Sequence, residues 1–193
     1  MAYLNEVDPA TVAQWLQNFN NCPNNIYQPF QKNTINLPRK IYDILSNNSV
    51  NHINIYFGYD ESLNPKIIAL GSYMLDQLDG EEQEGFVDIL DPEKIYELYS
   101  ASVVPLATAQ QYIDKWKQVN ETSSLFKVSF LSPRPNYIQL FLNDQANPVR
   151  IFFGMDNNNE PKMMQKDPNA GSGAVVFDKT TPCPPICGKQ SII

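Results

Sequence analysis

The sequence has few of the residues on which catalytic and metal sites most often depend. Its 193 residues include one histidine, three cysteines and three arginines. The cysteines are too few for a disulfide framework, and His52 has no adjacent nucleophile or orienting carboxylate to complete a catalytic triad. Glycine-rich phosphate loops, dinucleotide fingerprints and Gly-x-Ser-x-Gly elbows are also missing. We therefore expect no catalytic residue, no metal and no cofactor, and an enzyme is disfavoured.

Long apolar runs are missing as well. No stretch approaches the ~18 apolar residues of a membrane span. Residues 1–15 lack the basic region and apolar core of a signal peptide. We therefore expect a cytoplasmic protein that has no membrane contact and keeps its cysteines as thiols.

Positive charge is in short supply. Fourteen Lys and Arg residues stand against 21 Asp and Glu residues, which gives a formal net charge of −7. Such a chain repels a phosphate backbone, so we expect no nucleic-acid partner. The same charge would attract a basic protein partner, whereas the composition leaves the oligomeric state open.

One unusual stretch is present twice. Residues 53–68 read INIYFGYDESLNPKII, and residues 149–164 read VRIFFGMDNNNEPKMM. In each stretch, alternating apolar side chains precede a turn rich in Asp, Asn and Pro, which predicts a β-hairpin. Gly58, just before the first turn, predicts a bulge or a positive φ where the strand leaves its sheet.

Other landmarks recur in the same order. Asp8 and Pro9 predict the start of a helix, and its sequence ATVAQWLQ is echoed later by ATAQQYIDKWK. The dipeptide Pro-Arg also occurs in both halves. The predicted fold is therefore α+β, with two tandem copies of a helix plus antiparallel β-hairpin unit in residues 1–98 and 99–193. Because one unit alone would bury little surface, we expect the copies to pack as one pseudo-symmetric body, and the sequence leaves open whether they form one compact domain or two.

The remaining segments carry weaker patterns. A helical turn is predicted over Ile95–Tyr99, and short strands are predicted over Phe86–Leu90 and Ala174–Phe177. For residues 127–131 and 137–142, the sequence pattern is compatible with either a helix or a strand. The acidic residues 76–84 predict a solvated loop.

Three features of the second half occur together. They are the leading helix Ala107–Trp116, the hairpin Val149–Asp156 with the pattern I-R-I-(Y/F)-(Y/F)-G-x-D, and Cys183–Gly188 with the pattern C-P-P-x-C-G. In these features the chain resembles a group of bacterial proteins that has no assigned function. The resemblance implies a bacterial cytoplasmic origin and implies no chemistry. The first half repeats the helix and the hairpin but lacks the Cys-containing tail.

Four polar residues are candidates for ligand or interaction contacts. Asp60 and Asp156 occupy matching turns, where each would hydrogen-bond its own turn or, if symmetry paired them, do acid–base work. We favour the turn role. Arg39 and Arg134 occupy matching Pro-Arg positions, where each could fork a carboxylate across an interface. An internal ion pair or a helix-end contact is the favoured role for both arginines.

The tail from Cys183 to Cys187 is the most distinctive segment. A redox pair would need Cα atoms within about 7 Å, which the two intervening prolines restrict. A zinc site would need about four ligands, and the available Cys22, Cys183, Cys187 and His52 lack the usual close spacing. We favour inert thiols on a stiff tail.

Taken together, the residues predict a non-enzymatic binding or protein-interaction protein of the bacterial cytoplasm. One version is a small acidic protein that neutralises a basic partner. One alternative is an enzyme or small-molecule binder with a site between the two copies. Another is a thiol-based redox or metal-responsive protein that uses Cys183 and Cys187.

Overall fold

Helices and antiparallel sheets make up the fold, which confirms the α+β class. The structure is a computed structural model that describes residues 6–46, 50–74, 86–143, 145–171, 175–178 and 181–183. The helices are α1 (Pro9–Asn21), α2 (Gln28–Gln31), α3 (Arg39–Leu45), α4 (Leu106–Asn120) and α5 (Arg134–Ile138), which a π-helical turn (Gln139–Asn143) continues. The strands are β1 (Glu6–Val7), β2 (Ile35–Leu37), β3 (His52–Tyr59), β4 (Pro65–Met74), β5 (Phe86–Asp88), β6 (Tyr96–Glu97), β7 (Ser102–Val103), β8 (Ser129–Pro133), β9 (Val149–Met155), β10 (Pro161–Lys166), β11 (Val176–Phe177) and β12 (Thr181–Cys183).

The predicted start of the first helix is confirmed. Asp8 caps α1, because its Oδ1 accepts hydrogen bonds from the backbone N–H groups of Ala10 and Thr11, each at 3.0 Å. These bonds satisfy two of the donors that a helix N-terminus leaves open. Val12 and Phe19, on the apolar stripe of the helix, are buried.

Two sheets hold the strands. The first has the order β1-β11-β10-β9-β2, and the second has the order β12-β8-β3-β4-β6-β7, with β5 also paired to β4. Both predicted hairpins are confirmed as β3–β4 and β9–β10. The short strands predicted near Phe86 and at the end of Ala174–Phe177 are confirmed as β5 and β11.

Each hairpin is completed by elements from the other half of the chain. Strand β2 pairs with β9, and strand β8 pairs with β3. Helix α1 packs on β9, and helix α4 packs on β3. Where the sheets meet, the rings of Phe57 and Phe153 lie 5.2 Å apart between centroids. Strand pairing and helix packing therefore join elements from both sides of residue 98. The division of the chain into two units at that residue stays a prediction.

The predicted bulge or positive φ at Gly58 is wrong. Pairing of β3 with β4 is continuous from His52 opposite Ser72 to Tyr59 opposite Pro65. A Cβ at Gly58 would lie 2.8 Å from the Cβ of Tyr112 on α4. The glycine is needed because helix α4 approaches the strand closely at this point.

Three further segments can be compared with the sequence patterns. The helical turn predicted over Ile95–Tyr99 is wrong, because Tyr96 and Glu97 form strand β6 between β4 and β7. Residues 127–131, left open by the sequence, enter strand β8, whereas residues 137–142 lie in α5 and the π-helical turn. The acidic residues 76–84 lie outside the described residues.

Candidate functional site

The turn between β3 and β4 is organised by Asp60. Its Oδ1 accepts hydrogen bonds from the backbone N–H groups of Ser62 at 3.0 Å and Asn64 at 2.9 Å. The Nζ of Lys66 lies 3.7 Å from Asp60 Oδ2 and 5.8 Å from the ring centroid of Tyr112. Asp60 therefore closes its own turn and helps hold a lysine against helix α4.

The turn between β9 and β10 has the same arrangement. Oδ1 of Asp156 accepts hydrogen bonds from the backbone N–H groups of Asn158 at 2.8 Å and Glu160 at 2.9 Å. The Nζ of Lys162 lies 3.1 Å from Asp156 Oδ2 and 5.9 Å from the ring centroid of Trp15 on α1. The favoured turn role therefore agrees with the geometry at both aspartates.

The two carboxylates are held ionised and apart. Partial burial acts to raise the pKa of Asp60 and of Asp156, but hydrogen bonds and the adjacent lysines outweigh it and lower both pKa values below 3.8. Asp60 lines one surface depression and Asp156 lines another. Paired acid–base work would need the two groups in one site, and the described depressions do not bring them together.

The two turns differ at the residue that takes the left-handed backbone. That residue is Leu63 in the first turn, with φ 61°, and Asn159 in the second, with φ 62°. Asparagine tolerates this backbone, whereas a left-handed backbone costs an ordinary L-residue about 1–2 kcal/mol. Leu63 is also 51% exposed. The turn geometry does not require leucine, so its presence needs another explanation.

The first turn borders a broad depression against helix α4. Its volume is about 670 Å³, compared with about 240 Å³ for the depression beside the second turn. Glu61 on its rim is exposed and forms no ion pair within the described residues. We call this depression together with Leu63 the β3–β4 turn surface; the depression is lined by Tyr59, Asp60, Glu61, Ser62, Thr108, Gln111, Tyr112 and Lys115.

Arg39 links the two halves internally. Its Nε lies 2.9 Å from Asp43 Oδ1, and its Nη1 donates to the backbone carbonyl of Phe141 at 3.0 Å. Arg134 uses its backbone N–H, which donates to the carbonyl of Asn51 at 2.8 Å. The contacts of Arg39 are those of the favoured internal role. No contact places the two arginines together.

The structure gives side-chain surroundings for one thiol, that of Cys22, and for the histidine. Cys22 is a half-buried free thiol, and the backbone of Cys183 pairs with Ser129 in the second sheet. Cys187 lies outside the described residues. Burial lowers the pKa of His52 to about 4. Within the described ranges, no three His, Cys, Asp or Glu side chains form a group that could hold a metal ion.

Asp88 is a buried carboxylate that the sequence patterns did not indicate. Asp88 is 2% exposed and accepts hydrogen bonds from Asn54 Nδ2 at 3.1 Å, Ser72 Oγ at 2.6 Å and the hydroxyl of Tyr56. Asp88 lies on strand β5, which pairs with β4, and the three donors come from β4 and from its other partner β3. Since the carboxylate is almost fully buried and accepts three hydrogen bonds, we assign it a structural role.

Comparisons give no relative from which a function could be transferred. The chain matches no family model, no curated protein and no solved structure. In the described residues, no helix is both long enough and apolar enough to cross a membrane. The case for a function therefore depends on the geometry of the molecule.

Proposed function

We propose that this chain is a non-enzymatic binding protein that contacts a protein partner through the β3–β4 turn surface. The observation that carries the proposal is Leu63, a half-exposed leucine in a left-handed backbone position. Strained backbone positions cluster at sites that have a function. Asn159 shows that the same turn can be made without that strain.

The partner is a basic protein. The chain has a formal net charge of −7, and Glu61 beside Leu63 is an exposed carboxylate without an ion pair in the described residues. Opposite charge speeds association and is screened by salt. Leu63 would supply the apolar contact, and Glu61 would supply part of the attraction.

The matching contacts at the two hairpins support descent from two tandem copies. In both, a glycine and a lysine lie against an aromatic residue on the helix from the other half, and an aspartate pairs with that lysine. We extend the proposal to a pseudo-symmetric protein of the bacterial cytoplasm. The alternative with Cys183 and Cys187 gains no support from the described residues.

The test compares capture of partners by the wild-type protein and by Leu63→Asn. Val103→Asn is the matched control, because Val103 is 48% exposed, lies in strand β7 and does not line the depression. We expect the wild type and the control to retain a basic protein at low salt and Leu63→Asn to lose it. Reconstitution with the purified partner should show the same difference and a loss of binding at high salt.

A melting curve separates binding from folding. Leu63→Asn should melt at the wild-type temperature or above it, because asparagine adopts the left-handed backbone at lower cost. A partner that binds both variants equally would contradict the proposal. Binding that is insensitive to salt would contradict the assignment of a basic partner.

A further inference from the structure

A second pocket lies between segments from the two halves of the chain. It has a volume of about 230 Å³. One wall is the segment from Gln31 to Ile35, and the other is formed by strands β9 and β10. Its lining residues are Leu16, Gln31, Asn33, Thr34, Ile35, Arg150, Ile151, Phe152 and Lys166.

Two cations face each other across the strands at this pocket. Arg150 on β9 is directly opposite Lys166 on β10 in the sheet register. Like charges in directly opposite positions destabilise a sheet. Among the described residues, no carboxylate lines the pocket. Neither cation forms an ion pair with another described residue, although acidic side chains outnumber basic ones in the chain.

Their hydrogen-bond donors are largely unused. The Nε of Arg150 is buried and has no hydrogen-bond partner in the described part of the chain. Its Nη2 makes one long contact, 3.4 Å to Thr34 Oγ1. The Nζ of Lys166 lies 5.4 Å from the ring centroid of Phe152. A buried donor without an acceptor is costly and calls for an explanation.

The rest of the pocket is apolar enough to accept more than an inorganic ion. Leu16 and Phe152 are half-buried and form part of its lining. Its volume is about 230 Å³, far more than the ~10–15 Å³ that one water molecule needs. The pocket therefore has room for an anionic head and a short apolar body.

We propose that this pocket binds a small organic oxyanion, either a carboxylate or a phosphate monoester. The guanidinium of Arg150 and the ammonium of Lys166 hold the oxyanion, because the planar guanidinium matches carboxylate and phosphate oxygens. The apolar body lies against Leu16 and Phe152. The site is separate from the β3–β4 turn surface, since no described residue lines both.

The experiment is calorimetric titration of the full chain with three probes at constant ionic strength. The probes are phenyl phosphate, benzoate and the neutral benzamide at millimolar concentrations. We expect at least one of the two anions to bind at a single site and benzamide not to bind. Inorganic phosphate, titrated separately, should bind at least tenfold more weakly than phenyl phosphate if phenyl phosphate is the anion that binds.

Three variants locate the site. Arg150→Gln and Lys166→Gln each remove one charge and should weaken binding of the anion at least tenfold. The control is Lys162→Gln on the same strand, because Lys162 is paired with Asp156 and does not line the pocket. The affinity of this variant for the anion should match that of the wild type. Loss of repulsion should leave the melting temperature of ligand-free Lys166→Gln unchanged or higher, which a purely structural lysine would not do.

Three results would overturn the inference. One is that neither phenyl phosphate nor benzoate binds the wild type. Another is that Lys162→Gln weakens binding as much as Lys166→Gln, which would mean diffuse attraction to the surface. The third is that benzamide binds as tightly as the anions, which would leave the cations without a role. None of these results bears on partner capture through Leu63.

Discussion

Replacing Gly58 by alanine tests why the same stretch of sequence occurs twice. In Gly58→Ala the new Cβ would lie 2.8 Å from the Cβ and 3.1 Å from the carbonyl carbon of Tyr112. Since part of the obstacle is helix backbone, helix α4 must shift away from strand β3. Overpacking of this kind costs about 1–3 kcal/mol. The loss of unfolded-state freedom on replacing glycine returns about 0.4–1 kcal/mol.

The net effect should therefore be a loss of about 1–2 kcal/mol in the free energy of unfolding. For a chain of this size that corresponds to a fall of roughly 2–8 °C in melting temperature. Calorimetry or a circular-dichroism melt would measure it. Gly71→Ala should cost more, because its Cβ would lie 2.5 Å from the backbone oxygen of Leu45.

Gly171→Ala is the matched control. Apart from its chain neighbours, no atom of the described residues lies within 4 Å of the position that its Cβ would occupy, so the melting temperature of Gly171→Ala should equal that of the wild type or exceed it slightly. If Gly58→Ala behaves like Gly171→Ala, helix α4 does not approach strand β3 as described. The reasoning that the repeated glycine serves the contact between halves would then be refuted.

Three further changes test single side chains. The hydroxyl of Tyr27 donates to the carbonyl of Leu125 at 2.7 Å and accepts from the N–H of Lys127 at 2.8 Å; Tyr27→Phe leaves both unpaired and should cost about 1–3 kcal/mol by urea unfolding. Burial lowers the pKa of His52 from 6.5 to about 4, so the unfolded state binds the proton first and stability should fall as the pH drops through this window. His52→Gln should make the free energy of unfolding depend less on pH in this window. An unchanged dependence on pH would contradict the assignment to His52. The pKa of Asp156 is lowered below 3.8, so its ionised carboxylate contributes to the free energy of unfolding above that pH, and this contribution should be lost in stronger acid. Asp156→Asn should reduce that loss.

Local patterns predicted the local structure well. The cap at Asp8 and the two hairpins follow from side chains within a few residues. The prediction for Ile95–Tyr99 was wrong because strand β6 forms through pairing with β4, which tertiary context decides. The prediction of a bulge or a positive φ at Gly58 was wrong for a related reason, because the constraint on this residue comes from Tyr112, more than fifty residues away in the sequence.

The candidate sites were only partly predictable. The sequence identified Asp60 and Asp156 as matching turn residues, and a direct comparison of the turns would have shown Leu63 where the second has Asn159. Extending the second hairpin symmetrically from its turn would also have placed Arg150 opposite Lys166. The rest of that pocket could not be foreseen, because the segment from Gln31 to Ile35 reaches it through the pairing of β2 with β9.

The dependence of each half on the other can be tested by separate expression of residues 1–98 and 99–193. Trp116 is buried and contacts Tyr27, Phe30 and Phe57 from the first half, so its fluorescence reports completion of the core. We predict that the isolated second half has solvent-exposed tryptophan emission and that adding the first half shifts the emission to shorter wavelength and restores a cooperative melt. Native-like emission and a cooperative melt from the second half alone, unchanged by mixing, would contradict the account.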